Sequence, residues 1–221
     1  MNVNDKNKYN LIILSYLTFF ASVLILFFIK LYTLFKSYDL YVTSGAEITT
    51  LNFIQNFLNG NNLATSGNSN ILYEFYGLNF HIIYWPLIKF CQFFGLSYLL
   101  STRLISLGLI FLLTFVLILI AKNISKKNFI FKENLILFYL LILSFLINNQ
   151  ASSWWILTYR PDILAILFSF ISIYFFFLFI NKNKNSSLFL SIIFCVLSWT
   201  FKQNFLYAIA SIFSYLLIKK K

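Results

Sequence analysis

Apolar runs without charged residues alternate with short polar gaps along this chain of 221 residues. A spanning helix needs roughly 20 apolar residues, and these runs are close to that length and lack the alternation of a half-buried strand. The pattern therefore predicts an all-α integral membrane protein with about six transmembrane helices, near residues 10–33, 103–121, 134–150, 162–181, 186–201 and 203–218. A long loop, residues 36–102, follows the first span and is predicted to carry juxtamembrane amphipathic helices.

One further apolar segment, residues 80–96, is not counted as a span because it contains His81, Pro86 and Lys89. If this segment lies in the membrane interface, every lysine-rich gap falls on the same, cytoplasmic side. Both termini are then predicted to be cytoplasmic, and the loop at residues 36–102 lies outside the cytoplasmic membrane. The lysines on the inner side are Lys6, Lys8, Lys122, Lys126, Lys127, Lys132, Lys182, Lys184, Lys219, Lys220 and Lys221.

The composition agrees with a membrane protein, because 60% of the residues are hydrophobic, 10% are charged and the mean hydropathy is +0.81. The net charge of +11 arises mainly from the lysine-rich gaps, so we interpret it as a topology signal and expect no nucleic acid partner. Cys91, Cys195 and His81 are too dispersed for a disulfide or metal framework. No metal and no cofactor are expected, and the first apolar run is predicted to be a retained anchor.

The outer loop has local structure of its own. Ser44-Gly45-Ala46-Glu47 matches a capping box, and the apolar residues that follow it have helical spacing up to Gly60. Most of the carboxylates also lie on the outer side: Asp39, Glu47, Glu74 and Asp162.

The order of these features resembles the GT-C superfamily of membrane glycosyltransferases. Within it, the chain is similar to the polyprenyl-phosphate-sugar-dependent group of protein O-mannosyltransferases and aminoarabinose transferases. The resemblance covers nearly the whole chain and rests on the order and membrane side of several short motifs. These are Gly45-Ala46-Glu47, Phe57-Leu58-Asn59-Gly60, Tyr84-Trp85-Pro86-Leu87, Phe94-Gly95-Leu96-Ser97, Thr102-Arg103-Leu104, Tyr159-Arg160-Pro161-Asp162-Ile163-Leu164-Ala165 and Trp199-Thr200-Phe201-Lys202-Gln203.

The resemblance implies a polyprenyl-phosphate sugar as donor and inverting transfer to an acceptor outside the membrane. The acceptor is a glycan, a lipid or a protein. Such chemistry needs a base for the acceptor hydroxyl and cations for the phosphate. Glu47 occupies the acidic position of the family, although a glutamate there also completes a capping box. Many relatives carry two adjacent acids where this chain has Ala46 before Glu47, so Asp39 is the alternative base.

The cationic candidates come from the later motifs. The resemblance implies that Arg160 binds the donor phosphate and that Asp162 contacts the acceptor or orients Arg160. Alternatively, Asp162 caps a helix while Arg160 reaches toward lipid head groups. Lys202 is a further phosphate ligand or the mark of a tight outer turn. Arg103, at the outer end of the second span, binds the phosphate or anchors the helix.

Two other classes of protein remain compatible with the sequence. A small transporter or channel subunit also places ionisable residues at the ends of spans, although it would be expected to hold some within the spans or to show duplicated halves. An inactive or truncated glycosyltransferase is the second alternative, because relatives usually continue with further spans.

Overall fold

The computed structural model describes residues 3–36, 50–51, 78–124, 139, 142–143, 160–202 and 207–219. Within these ranges the elements of secondary structure are all helices, which confirms the all-α prediction for the described part of the chain. The helices there are α1 (Val3–Lys36), α2 (Leu78–Phe93), α3 (Tyr98–Ile124), α4 (Asp162–Lys182), α5 (Asn185–Phe201) and α6 (Tyr207–Lys219). The predicted capping box at residues 44–47 and most of the predicted span at residues 134–150 lie outside the described residues.

Two of the helices are long and apolar enough to cross a membrane. α3 has 27 residues and α4 has 21, and both are strongly apolar. At a rise of 1.5 Å per residue, α3 is about 40 Å long, and α4 is about 30 Å long, which matches the hydrocarbon thickness of a bilayer. α5 and α6 are apolar but shorter, with 17 and 13 residues. The set of six spans stays a prediction.

The outer surface of the helices is strongly apolar. Phe28 and Tyr32 on α1 are 62% and 63% exposed, and Phe93 at the end of α2 is 85% exposed. Further exposed apolar side chains follow along α3, α5 and α6. Soluble monomers rarely expose apolar patches larger than a few hundred Å², so a surface of this kind is typical of helices that contact lipid.

α4 and α5 form an antiparallel hairpin, which is the most extensive helix pair in the described structure. Asn183 ends α4 in the left-handed conformation with φ of 51°, and its N–H donates to the Phe179 carbonyl at 2.7 Å. Asparagine tolerates this conformation better than most residues. Only Asn183 and Lys184 separate the two helices, so the chain reverses at once and the faces of α4 and α5 meet.

Buried serines line the contact between α4 and α5. The Ser198 hydroxyl lies 2.6 Å from the Ser169 hydroxyl, and Ser191 and Ser172 donate to each other's carbonyl oxygens at 2.9 and 2.8 Å. Small residues permit close approach of two backbones, and hydroxyl groups can then bridge them. We call this set the serine ladder: Ser169, Ser172, Ser191 and Ser198.

One hydrophobic cluster includes residues from four of the helices. Tyr84 from α2, Ile110 from α3, Ile163 from α4 and Phe201 from α5 all belong to it and are at most 1% exposed. The first halves of α3 and α4 therefore lie beside the last turn of α5, with α2 packed against α3. We call this end of the bundle the cluster end. α6 packs against α4 and α5 through a separate cluster that includes Ala208 and Ile212.

Candidate functional site

A carboxylate at the cluster end contacts two cationic side chains. The Lys202 ammonium donates a hydrogen bond to Oδ1 of Asp162, and the Arg160 Nε lies 3.5 Å from Oδ2 of the same carboxylate. Arg160 and Asp162 are 8% and 9% exposed, so both are almost entirely buried. We refer to these three residues as the charged triad.

Local backbone structure places the first two members of the triad. Pro161 has φ of −70° and ψ of −11° and occupies the N-cap position, and its carbonyl accepts from the Ala165 N–H at 2.9 Å. A proline suits the beginning of a helix because its fixed φ is already helical and it has no N–H to satisfy. Asp162 is then the first residue of α4, where a negative charge is stabilised by the helix dipole. Pro161 itself makes no side-chain capping hydrogen bond, so both predicted roles of Asp162 stay predictions.

The third member of the triad, Lys202, lies at the C-terminal end of the neighbouring helix α5. Lys202 is the C-cap residue of α5, and its backbone is extended, with φ of −151° and ψ of 116°. Its N–H still donates to the Ser198 carbonyl at 3.2 Å, which ties it to the last turn. A cation is stabilised at the C-terminus of a helix. Because α4 and α5 are antiparallel, the N-terminus of α4 lies beside the C-terminus of α5. Asp162 and Lys202 are therefore each stabilised by the dipole of their own helix and by the opposite charge of the other residue.

The triad has a formal charge of +1, since two cations share one carboxylate. A buried ion pair is costly to desolvate, and its partners repay that cost only when their geometry and hydrogen bonding are good. The Lys202 side chain keeps 21% of its surface exposed, whereas that of Asp162 keeps 12%. The surplus positive charge is therefore nearest to the surface at Lys202, and the arrangement can attract an anion.

Arg103 does not lie at the end of its helix. α3 begins at Tyr98, five residues before the predicted start of the span, so Arg103 falls inside the second turn. Its side chain is fully buried and close enough to Tyr84 for its charge to act on the phenol. The structure therefore places Arg103 inside the protein, and its role as a phosphate ligand or a helix anchor stays a prediction.

A polar contact between α2 and α3 lies close to Arg103. The Tyr84 hydroxyl lies 3.1 Å from the Ser106 hydroxyl, and both residues are buried. Burial raises the pKa of the Tyr84 phenol above its ordinary value, against smaller opposing effects of Ser106 and Arg103. His81, expected to be a packing residue, is fully buried with its ring 3.8 Å from that of Phe80.

The structure brings together some of the predicted site residues and leaves others undescribed. Arg160, Asp162 and Lys202 are in contact. Arg103 lies in the first half of α3, the helix that contributes Leu107 and Ile110 to the hydrophobic cluster. The two candidate bases, Glu47 and Asp39, lie outside the described residues, as does Glu74. Among the described residues no three His, Cys, Asp or Glu side chains are grouped in a way that could hold a metal ion.

Two features of the site were missed by sequence reasoning. One is the pairing of Lys202 with Asp162 across 40 positions of the chain. The other is the serine ladder that holds their helices together. Both had a signal in the sequence, because small residues recur at positions 165, 169 and 172 and at 187, 191, 195 and 198, with intervals of three or four residues. Such intervals place small side chains on one face of each helix.

Comparisons with known proteins identified no family for this chain. No family model, no curated protein and no solved structure matched the chain.

Proposed function

We propose that this chain is a membrane glycosyltransferase that moves a sugar from a polyprenyl-phosphate donor to an acceptor on the outer face of the cytoplasmic membrane. The observation that carries the proposal is the charged triad, in which Arg160 and Lys202 share the single carboxylate of Asp162. Its net positive charge is buried at the end of apolar helices. A lipid-linked phosphate presents the matching combination of a negative head and an apolar tail.

The triad suits the departure of a phosphate. During transfer, the bond between the anomeric carbon and the phosphate oxygen breaks, and the electron pair remains on the phosphate. Cationic groups that are already oriented stabilise this developing charge without further reorganisation. Arg160 and Lys202 would supply the cations, while Asp162 would hold Arg160 in position from 3.5 Å. Arg103 is a further candidate for binding the phosphate. Because its side chain is buried, the phosphate would have to contact it inside the protein.

The other half of the reaction needs a base. The acceptor hydroxyl attacks the anomeric carbon from the face opposite the phosphate, which inverts the configuration, and its proton passes to a carboxylate. We assign this role to Glu47 on the sequence motif, with Asp39 as the alternative. The acceptor is a glycan, a lipid or a protein, and its identity does not enter the test of the donor half of the reaction.

The test is sugar transfer in membranes that contain the protein, with radiolabelled polyprenyl-phosphate sugars as donors. Lys202→Gln is expected to lower transfer at least tenfold, about 1.4 kcal/mol, because it removes a cation from the leaving phosphate. Lys184→Gln is the matched control, since Lys184 caps the other end of the same helix and is exposed. Arg160→Gln should resemble Lys202→Gln, and Arg160→Lys should retain part of the activity.

The choice of base is tested in the same assay. Glu47→Gln should abolish transfer, whereas Asp39→Asn should preserve it. The reverse pattern would make Asp39 the base. A protein that transfers no sugar from any donor, but is still stabilised by the Asp162–Lys202 pair, would contradict the enzyme proposal. The pair would then serve only to stabilise the fold, as expected in a transporter subunit or an inactive glycosyltransferase.

We also propose that the chain crosses the cytoplasmic membrane six times, with both termini inside. The support is the distribution of lysines and the length and apolar surface of α3 and α4. Single cysteines at Asn79 and Lys184, both exposed, test the arrangement in a protein with Cys91 and Cys195 replaced by serine. A membrane-impermeant maleimide should label the Asn79→Cys variant in intact cells and the Lys184→Cys variant only after lysis. Labelling of both in intact cells would overturn the topology.

A further inference from the structure

Ser198 lies one helical turn from Lys202 and contacts α4 close to Asp162. The Ser198 hydroxyl donates to the Ala165 carbonyl at 2.7 Å and lies 2.6 Å from the Ser169 hydroxyl. Ala165 is in the first turn of α4, and its N–H donates to the Pro161 carbonyl at 2.9 Å. Ser198 is therefore the part of the serine ladder nearest to the charged triad.

Backbone hydrogen bonds connect this contact to both partners of the ion pair. On α5, the Lys202 N–H donates to the Ser198 carbonyl at 3.2 Å, which sets the distance from the serine to the lysine. On α4, the Ala165–Pro161 hydrogen bond fixes the turn that contains Asp162. The bond from Ser198 to Ala165 then sets how far α5 is shifted along α4 and how it is rotated.

The contact between Ser198 and α4 is tightly packed, so it does not tolerate small displacements of α5. Ser198, Ser169 and Ala165 are each fully buried, and their small side chains keep the two backbones close. The Lys202 ammonium reaches Asp162 over four methylene groups, so a sliding or rotation of α5 changes where that ammonium is placed. The strength of a charge-assisted hydrogen bond depends on its geometry.

We propose that Ser198 is a positioning residue for the charged triad: through its bond to the Ala165 carbonyl it holds the end of α5 so that Lys202 meets Asp162. This inference rests on the proposed function only for its effect on a phosphate donor. Its effect on the Asp162–Lys202 pair stands independently of any activity.

Ser191 provides a closely matched control within the same ladder. Like Ser198 it is fully buried, donates once to a carbonyl of α4, that of Ser172 at 2.9 Å, and lies beside one hydroxyl, that of Ser172 at 3.2 Å. It differs in position, because it precedes Lys202 by 11 residues, which is about 16 Å along the helix. Replacing either serine by alanine removes the same kinds of contact and almost the same volume.

The experiment compares Ser198→Ala with Ser191→Ala in the full chain in detergent. The unfolding temperature is measured for each variant with and without Lys202→Gln. In the original protein and in Ser191→Ala, Lys202→Gln should lower the unfolding temperature by equal amounts. In the Ser198→Ala background that decrease should be at least halved, because the pair is already weakened. Equal decreases in all three backgrounds would overturn the proposal, since the ladder would then only stabilise the fold.

A second readout applies to the donor. In the transfer assay, Ser198→Ala should raise the KM for the polyprenyl-phosphate sugar roughly fivefold, the effect of losing a single well-placed hydrogen bond. Ser191→Ala should leave that KM unchanged even where it lowers stability by the same amount. Ser198→Cys, which keeps the shape of the side chain and a weak donor, should restore part of the affinity.

The two readouts separate the failure of one proposal from the failure of the other. Absence of transfer in the unaltered protein contradicts the glycosyltransferase, while the unfolding temperatures still decide the role of Ser198. Transfer that depends on Lys202 but responds equally to both serine variants supports the enzyme and contradicts the positioning role.

Discussion

The hydroxyl oxygen of Tyr84 lies 3.1 Å from that of Ser106, in the buried contact where α2 meets α3. This is a side-chain hydrogen bond between the two helices, and it lies beside the buried Arg103. Phe80 packs edge-on against the Tyr84 ring with centroids 6.0 Å apart, so the tyrosine is held from both its ring and its hydroxyl.

Removing that hydroxyl should destabilise the protein. We expect Tyr84→Phe to lower the free energy of unfolding by about 1 kcal/mol, because the hydrogen bond between Tyr84 and Ser106 is lost while the ring packing stays. Ser106→Ala should have a similar effect, and the double variant should be less destabilised than the sum of the two. Unfolding by detergent titration measures this, and strict additivity would show that the two hydroxyls do not interact.

The same tyrosine predicts a dependence on alkaline pH. The phenol has a raised pKa in the folded state, so above its ordinary value of 10.0 the unfolded chain loses this proton and the folded chain keeps it. The contribution of Tyr84 to stability is therefore complete below pH 10 and decreases as the pH rises through and beyond that value. Tyr84→Phe should show a smaller loss of stability between about pH 10 and 11 than the original protein, measured by unfolding temperature. Identical pH profiles would contradict the raised pKa.

The charged triad should respond differently to loss of its anion and of one cation. Asp162→Asn leaves Arg160 and Lys202 without their shared carboxylate, and we expect a loss of about 3 kcal/mol, typical of breaking a buried ion pair. Lys202→Met should cost only about 1 kcal/mol, because Asp162 retains Arg160 and the methionine preserves part of the apolar stem. Unfolding measurements on both variants check the order, and a larger loss for Lys202→Met would contradict it.

Replacing Gly95 and Gly108 by alanine should change the stability of the protein in opposite directions. Gly95 ends α2 with φ of 78°, and the Leu96 and Gly95 N–H groups donate to the Cys91 and Gln92 carbonyls in a Schellman arrangement. Gly95→Ala should destabilise the protein by about 1 to 2 kcal/mol, the cost of placing an L-residue in the left-handed region.

Gly108, in the interior of α3, is the control for this change. A Cβ added at either glycine meets no atom within 4 Å, so steric contacts do not differ between the two sites. Gly108→Ala should stabilise the protein by up to about 1 kcal/mol, because alanine favours a helix over glycine. Equal effects of the two substitutions on the unfolding temperature would contradict the role of backbone conformation.

Much of the fold followed from the sequence because hydrophobic length is a local property. The apolar runs that predicted spans at residues 162–181 and 186–201 correspond to α4 and α5 with shifts of no more than one residue. α3 begins at Tyr98, ahead of the predicted start of the span at Arg103. Five mostly apolar residues precede it in the helix, and the surrounding protein, instead of the head groups, accommodates its charge. Burial of this kind depends on tertiary packing, which hydropathy does not encode.

The candidate site was less accessible to sequence reasoning. Arg160 and Asp162 were selected as neighbours in one motif, and Lys202 was selected as an isolated cation. Their contact depends on the relative shift of α4 and α5, which is set by the serine hydroxyls between them. The position of α5 along α4 depends on both helices together, so it cannot be derived from the sequence of either helix alone. The small residues at intervals of three and four were the available signal.

The two-residue connection between α4 and α5 has a consequence for the order in which the protein assembles. Partners that are close in sequence lose little chain entropy when they meet, so contacts between adjacent segments form before distant ones. We therefore expect α4 and α5 to associate as soon as both have emerged from synthesis. The triad would then already be complete when α6 is added, and the neutralised Asp162 and Lys202 would reach their final places as a pair.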